Sequence, residues 1–214
     1  LAALEKIYIT RYADEKMTKL VKQNKGTSFF LSVAGHEMVG VTAALALRKG
    51  TDWALPYFRD RAFAIGFALE LEELIGAFLA RAVPHHSGGR MMLDHFSHKE
   101  AKIPCQSSCV GSQFLQAVGV AKGVKLRQAQ EVVYVSAGEG ATSQGDFYEA
   151  LNYSALHQLP LIFVIQDNGF AISTPVSQQT AGGSIAEIAK SFPGLQVFAV
   201  DGCDFPVLHT AMQI

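Results

Sequence analysis

Glu131-Val132-Val133-Tyr134-Val135-Ser136-Ala137, running into Gly138-Glu139-Gly140-Ala141, and Leu161-Ile162-Phe163-Val164-Ile165-Gln166, running into Asp167-Asn168-Gly169-Phe170, decide the fold of this chain. Both are short β-branched and aromatic runs that stop at glycine or at Asp-Asn-Gly, the pattern of a buried strand ending in a turn. The residues between them, 144 to 158, read as a helix. A further strand is expected at Leu195–Val200, closing with Asp201-Gly202 and leading into a last helix. Strand and helix alternating at this spacing call for right-handed βαβ units and a parallel sheet covered by helices on both faces. The expected class is α/β, as one domain over 1–214 with a helical N-terminal extension.

That extension opens on residues 3 to 24, where Leu4, Ile7, Tyr8, Tyr12, Met17, Leu20 and Val21 form an apolar stripe between charged residues, an amphipathic docking helix. A second helix follows Gly35 through Met38, Val41, Ala44, Leu45 and Leu47, with Lys49-Gly50 closing it. A third is expected over roughly 61 to 81, ending before Pro84. Periodicity is lost from 84 to 109, where His85-His86-Ser87-Gly88-Gly89-Arg90 and His95-Phe96-Ser97-His98 read as a long loop, a form that usually carries function. A small-residue helix over 111 to 122 then leads to the first strand.

A hydrophobic share of 49% with 17% charged residues suits a globular core, and a formal charge of -1 offers no basic surface for nucleic acid. No apolar run reaches the roughly 18 residues of a membrane span, and Leu1 to Arg11 lacks the basic start and apolar core of a secretory signal. Cys105, Cys109 and Cys203 are odd in number and suit reduced thiols. The expected location is cytoplasmic, or the mitochondrial matrix in a eukaryote. With no initiator Met and an end inside a helical pattern at Ile214, more chain is expected at both ends.

In an open parallel sheet, ligands bind beyond the carboxyl ends of the strands. Gly138 and Gly140 let the backbone approach a ligand, and the helix starting near Ser143 presents free N–H groups to an anion. A phosphate group held by N–H donors alone is short of positive charge, so a hard divalent cation with oxygen ligands is a natural addition. Glu139 would supply a carboxylate and Asn168 an amide oxygen, one helix and one strand apart. Adjacent strands would bring both to one metal.

The string Gly138-Glu-Gly-Ala-Thr-Ser-Gln-Gly-Asp-Phe-Tyr-Glu-Ala-Leu-Asn-Tyr-Ser-Ala, then Leu159-Pro160, then Asp167-Asn168-Gly-Phe-Ala-Ile-Ser173 resembles the thiamine diphosphate motif. Ala34-Gly35-His36-Glu37, Pro56-Tyr57-Phe58-Arg59-Asp60-Arg61 and Ser87-Gly88-Gly89-Arg90 stand in matching order, so the resemblance covers nearly the whole chain. It is to the alpha subunit of the thiamine diphosphate-dependent, decarboxylating first component of 2-oxo acid dehydrogenase complexes. Gly-Glu-Gly with Ser173-Thr174-Pro175 looks like the branched-chain, 2-oxoisovalerate members more than the pyruvate or acetoin ones.

The resemblance implies an oxidoreductase for oxidative decarboxylation of a 2-oxo acid with acyl transfer to the lipoyl domain of an acyltransferase. It implies that Glu139, Asn168 and the Phe170 carbonyl hold Mg2+, with Gly138, Gly140 and Ala141 lining the diphosphate. Gln166, Tyr57, Phe58 and Ser108 match cofactor contacts, Arg59 the arginine that grips the diphosphate, and Val110 the apolar residue that bends the cofactor. His95 matches a histidine near the reactive ring, a group able to exchange protons near neutrality. Ser107, Cys109, Ser112 and Gln113 are candidate K+ contacts. The glutamate that activates the cofactor belongs to a beta subunit or fused beta-like half, so a heterotetramer or a dimer of fused chains is implied and this chain alone is inactive. The family's later histidine-bearing loop would lie beyond Ile214.

Each assignment has a plainer reading. Glu139 would serve as a solvated carboxylate at a helix N-terminus, Asn168 as an Asx-turn residue, Arg59 as a surface partner of Asp60 or Glu37, and Val110 as a core residue. Ser and Gln near a helix start commonly satisfy backbone groups. His95 would serve as a hydrogen-bonded structural group of the loop, and His95, His98, Cys105 and Cys109 form an alternative zinc-type set. The chain departs from the family at Asp167, Phe58 and Cys109, where Asn, Tyr and Pro are frequent. The remaining alternative of another class is a nonenzymatic cofactor-binding module.

Overall fold

The computed structural model describes residues 1–27, 30–83 and 90–213. In chain order the elements are α1 (Ala2–Lys22), α2 (Glu37–Ala46), β1 (Trp53–Leu55), α3 (Arg61–Phe67), α4 (Leu71–Phe78), α5 (Gln113–Leu126), β2 (Val133–Gly138), α6 (Gly145–His157), β3 (Leu161–Gln166), β4 (Phe170–Ala171), β5 (Thr174–Pro175), α7 (Val176–Gln179), α8 (Ile185–Ala189) and α9 (Phe205–Ala211). They form two compact units: a helical one from Leu1–Thr51, Phe58–Gln106 and Asp201–Ile214, and a sheet unit from Asp52–Tyr57 and Ser107–Val200. Among the described residues no helix is long and apolar enough to cross a membrane.

In the helical unit, α1 buries Thr10, Ala13, Asp14 and Met17 on one face, and Met17 packs with Phe78 and Leu93. The third expected helix is two, α3 and α4. Ala68 leaves helical geometry at φ -151°, and the amides of Ala68 and Leu69 both donate to the Ala64 carbonyl, turning Leu69 into the core. Glu72 and Glu73 then sit in the first turn of α4, where carboxylates favour a new N-terminus. Helices α2 and α3 touch backbone to backbone: a Cβ on Gly40 would lie 2.6 Å from the Phe63 nitrogen.

Arg61 and Arg11 each anchor an ion-pair site in this unit. Arg61 is fully buried and bridges Asp14 (2.7 Å) and Asp94 (2.5 Å), with its guanidinium 5.0 Å from the Phe30 ring centroid. Burial works against its charge, but the charges and hydrogen bonds of Asp94 and Asp14 outweigh that and raise its pKa. Arg11 pairs with Glu37 at 2.5 Å. Burial pushes the Glu37 carboxyl up, yet hydrogen bonds from Arg11 and from backbone amides, with the Arg11 charge, hold it below its ordinary value. A depressed carboxyl contributes stability above its unfolded pKa, about 4.3, and loses it as pH falls through the folded value. Denaturation midpoints of wild type and Glu37→Gln are therefore expected to differ at neutral pH and to converge in acid.

In the sheet unit the strand order is β1-β2-β3, all parallel, with Leu55 opposite Val135, Val135 opposite Phe163 and Gly138 opposite Gln166. Val133, Val135 and Ala137 of β2 and Leu161, Phe163 and Ile165 of β3 share one face and meet Phe114, Ala117 and Ala121 of α5 and Phe147, Ala150 and Leu151 of α6. Tyr134 and Ser136, on the opposite face, are buried as well. This is the expected α/β class with a parallel sheet.

Three local features differ from expectation. Strand β1 has three residues, too few for the alternation that marks a strand. The hairpin β4–β5 turns at Ile172-Ser173 without Gly, Asn or Asp, holding the β-branched Ile172 at φ +59°. Residues 195–200 do not form the expected strand: Phe198 and Val200 are exposed, and among the described residues no ladder pairs with them. Apolar alternation needs a neighbouring strand before it becomes sheet.

Candidate functional site

The carboxyl ends of all three parallel strands converge on one cluster within the sheet unit. Tyr57 follows β1; its N–H donates to the Ser136 hydroxyl and its phenol to Gln166 Oε1, both at 3.1 Å. Gln166 ends β3 beside Gly138 at the end of β2. Glu139, only 2% exposed, opens a 3-10 turn over Glu139–Ser143. Its Oε2 accepts from the Asn168 N–H at 3.4 Å, and its carbonyl accepts from the Thr142 hydroxyl at 2.7 Å and the Gln179 amide at 2.8 Å. Gly140 lacks a Cβ where one would stand 2.8 Å from that of Ala171, which lets β4 close on the turn. The sheet thus brings Tyr57, Gly138, Glu139, Gly140, Ala141, Gln166 and Asn168 together. Gln179 and Thr142 escaped the sequence reading, because a one-turn helix and a turn threonine carry no periodic signal.

Past β3, Asp167 Oδ1 accepts from the Gly169 N–H at 2.8 Å and Asn168 Oδ1 from the Phe170 N–H at 3.0 Å, two successive Asx turns with Gly169 at φ +81°. The plainer reading of Asn168 is therefore realised here. Asp167, Asn168 and Phe170 are exposed while Glu139 is buried beside them. Among the described residues no group of three or more His, Cys, Asp or Glu is arranged to hold a metal ion, so the zinc alternative has no ligand set. One buried carboxylate with a neighbouring amide and backbone carbonyls is an all-oxygen set, which fits a hard cation such as Mg2+ shared with a phosphate.

The loop before α5 lies against the same turn: a Cβ on Gly111 would be 2.9 Å from Gln144 Cγ and 3.6 Å from the Ala141 carbonyl. Val110 is 50% exposed and not a core residue, because Gly111, at φ +87°, turns the chain so that residue 111 is buried and 110 is not. Ser107, Ser108 and Cys109 are exposed too. Ser107 Oγ accepts from the Cys109 N–H at 3.1 Å, the Ser112 hydroxyl donates to the Cys109 carbonyl at 2.8 Å, and the Gln113 amide donates to the Ser136 carbonyl at 3.1 Å. These side chains satisfy neighbouring backbone groups.

Phe58, Arg59 and His95 belong to the helical unit. Arg59 Nε donates to the Ser32 carbonyl at 2.7 Å, and among the described residues no carboxylate pairs with Arg59; Glu37 is taken by Arg11. The Phe58 and His95 rings stack with centroids 6.3 Å apart and planes 18° off parallel. His95 is 2% exposed, with Nδ1 3.0 Å from the Leu93 carbonyl. A carbonyl only accepts, so Nδ1 carries a proton in this geometry. The Ser87-Gly88-Gly89 stretch and His85-His86 lie outside the described residues.

Known proteins resemble this chain along most of its length. The chain is 37% identical over 191 residues to the 2-oxoisovalerate dehydrogenase subunit alpha of Bacillus subtilis, covering 88% of this chain and 58% of that one. It is 37% identical over 210 residues to a pyruvate dehydrogenase E1 component subunit alpha of Staphylococcus aureus, covering 97% and 53%. The corresponding Bacillus subtilis pyruvate protein is 34% identical over 200 residues, covering 92% and 51%. The chain thus spans little more than half the length of these curated relatives. The X-ray structure of a protein from Mycobacterium smegmatis, assigned by its name to the thiamin diphosphate-dependent enzymes, shares the fold, with a TM-score of 0.55 at 19% identity over 82% of this chain and 28% of that one. With the dehydrogenase E1 component family matching residues 5–214, this chain belongs to that family.

Proposed function

We propose that this chain carries the thiamine diphosphate and Mg2+ site of a 2-oxo acid dehydrogenase acting on a branched-chain 2-oxo acid, with acyl transfer to a lipoyl domain. Residues 1–214 form a single cofactor-binding domain, and a beta subunit or fused beta-like half completes the enzyme. The observation that carries the reading is the meeting of Tyr57, Glu139 and Gln166 at three parallel strand ends, with Asn168 hydrogen-bonded to Glu139. Thiamine diphosphate, when bound, supplies the electron sink for decarboxylation.

The chain's own residues bind, orient and exchange protons. Glu139, the Asn168 side chain and the Phe170 carbonyl hold Mg2+, while Gly138, Gly140 and Ala141 line the diphosphate. Arg59 adds a permanent forked charge for phosphate oxygens. Tyr57, Phe58, Ser108 and Gln166 would contact the cofactor, and exposed Val110 would offer it an apolar surface. His95 exchanges a proton at Nε2, the nitrogen left to act once Nδ1 holds the Leu93 carbonyl. Potassium at Ser107, Cys109, Ser112 and Gln113 would stiffen the loop before α5.

The test is calorimetric titration of thiamine diphosphate with Mg2+ into the full-length protein and its partner. Glu139→Ala is expected to weaken binding by more than the 10- to 100-fold, roughly, that loss of an outer-shell metal partner costs. Binding indifferent to Glu139→Ala overturns the reading. A pyruvate substrate stands beside the branched-chain one, since relatives of both kinds are 37% identical. Turnover of 2-oxoisovalerate against pyruvate decides between them, and cofactor binding without turnover of any 2-oxo acid would favour a nonenzymatic module.

A further inference from the structure

Asp94 is a non-glycine residue in the left-handed region, at φ +63°, and is 2% exposed. Aspartate tolerates this region better than most residues, but the conformation still needs surroundings that hold it. Arg61 supplies them. Its Nε donates to Asp94 Oδ1 at 3.1 Å and its Nη2 to Oδ2 at 2.5 Å, a two-pronged grip, while Nη1 is fixed on Asp14 at 2.7 Å. The fork is planar and rigid, so it constrains the carboxylate's orientation as well as its charge.

The residue on either side of Asp94 takes part in one hydrogen bond, between Leu93 oxygen and His95 Nδ1 at 3.0 Å. The covalent path that closes this bond runs through φ and ψ of Asp94. If Asp94 relaxed to the common right-handed or extended regions, the Leu93 carbonyl would swing away from the imidazole. A second bond, from the His95 N–H to the Met92 carbonyl at 3.3 Å, closes the same turn.

We infer that Arg61 and Asp94 are positioning residues for His95: the Arg61 fork locks the left-handed turn at Asp94, and that turn fixes the ring and places its proton on Nδ1. The functional part of this inference rests on the reading of His95 as the catalytic histidine. The chemistry is that of a tautomer selector, leaving Nε2 as the nitrogen that gives and takes a proton. Asp14 serves at one remove, by anchoring the third arm of Arg61 and by accepting from the Val33 N–H at 2.9 Å.

The test uses the full-length protein with its partner, the histidines 15N-labelled and His95 assigned by comparison with His95→Gln. Solid-state NMR should show a pyridine-type Nε2 and a protonated Nδ1 for wild type. Asp94→Ala, which favours neither the grip nor the turn, should give mixed tautomers and lower kcat about tenfold or more with KM for the 2-oxo acid little changed. Asp94→Asn, which keeps one acceptor oxygen and the left-handed preference, should retain the wild-type tautomer and recover most of kcat. If Asp94→Ala does not fold, Arg61→Lys replaces it, keeping the charge but losing the fork, with the same mixed tautomers expected. A folded Asp94→Ala or Arg61→Lys protein with a wild-type His95 signature overturns the positioning role. Unchanged kcat in His95→Gln, with cofactor binding intact, would sink the catalytic assignment of His95 while leaving the NMR result to stand by itself.

Discussion

Arg61→Ala is expected to destabilise the helical unit by about 3–5 kcal/mol, the range for removing one partner from a buried ion pair. Arg61 is fully buried, and its partners Asp14 and Asp94 have side chains only 4% and 3% exposed. Truncation strands two carboxylates where water cannot reach them, and it removes the cation from beside Phe30. The pair is not a strong net contributor when intact, because desolvating three charges offsets much of their attraction. Its loss is costly because of what remains. A urea titration of Arg61→Ala against wild type measures the difference, and a midpoint unchanged at neutral pH would contradict the buried network. Arg61→Met with Asp14→Asn and Asp94→Asn should recover part of the lost stability, since no unpaired charge is left buried while Asn keeps the left-handed preference at 94 and an acceptor at 14 for the Val33 N–H.

Phe114→Ala is expected to cost the sheet unit about 3–5 kcal/mol, as truncations of buried aromatics do. Phe114 is fully buried and meets Phe147 at 5.0 Å and Phe163 at 6.2 Å between ring centroids, joining α5, α6 and β3. Phe147 and Phe163 meet edge to face at 89°, so the three rings have little freedom to fill a cavity. The same helix carries Gln113, whose amide holds the Ser136 carbonyl in β2. The loss should therefore loosen the strand that leads into Glu139. Leu115, one residue away but 42% exposed, supplies the comparison: Leu115→Ala should move stability by about 0.5 kcal/mol or less. Equal effects at 114 and 115 would mean that the three-ring core is not as described.

Where sequence was readable, periodicity and punctuation carried the information. The strands ending at Gly138 and Gln166 and the helix between them were legible because β-branched runs stop at glycine or Asp-Asn-Gly. Strand β1 was not, since Trp53-Ala54-Leu55 is too short to show a period and owes its state to pairing with Val133–Val135. The break between α3 and α4 carried a faint signal in Glu72-Glu73, hidden by apolar residues on both sides. Residues 195–200 show the reverse, a strand-like pattern without a ladder.

The candidate site divides in the same way. Glu139, Gln166 and Asn168 stand at strand ends, so their meeting followed from the order of the strands. Tyr57 came from the resemblance, and its bond to Gln166 across 109 positions is set by β1 lying beside β2. Asp14 and Asp94 lie 47 and 33 positions from Arg61, so no local pattern could link them. Val110 read as core by its type and is exposed by its turn.

The parallel pairing that sets Gly138 opposite Gln166 acts as a ruler with discrete marks. A strand cannot slide by a fraction of a residue without losing its ladder, and a full step of about 3.3 Å would reverse which side chains face α5 and α6. The spacing between Glu139 and Asn168 is therefore quantised. Sequence drift in the core can weaken the sheet, yet it leaves these two side chains in step until the register itself fails. Core residues such as aliphatic Val135 and aromatic Phe163 act in this way as the gauge blocks of the candidate site.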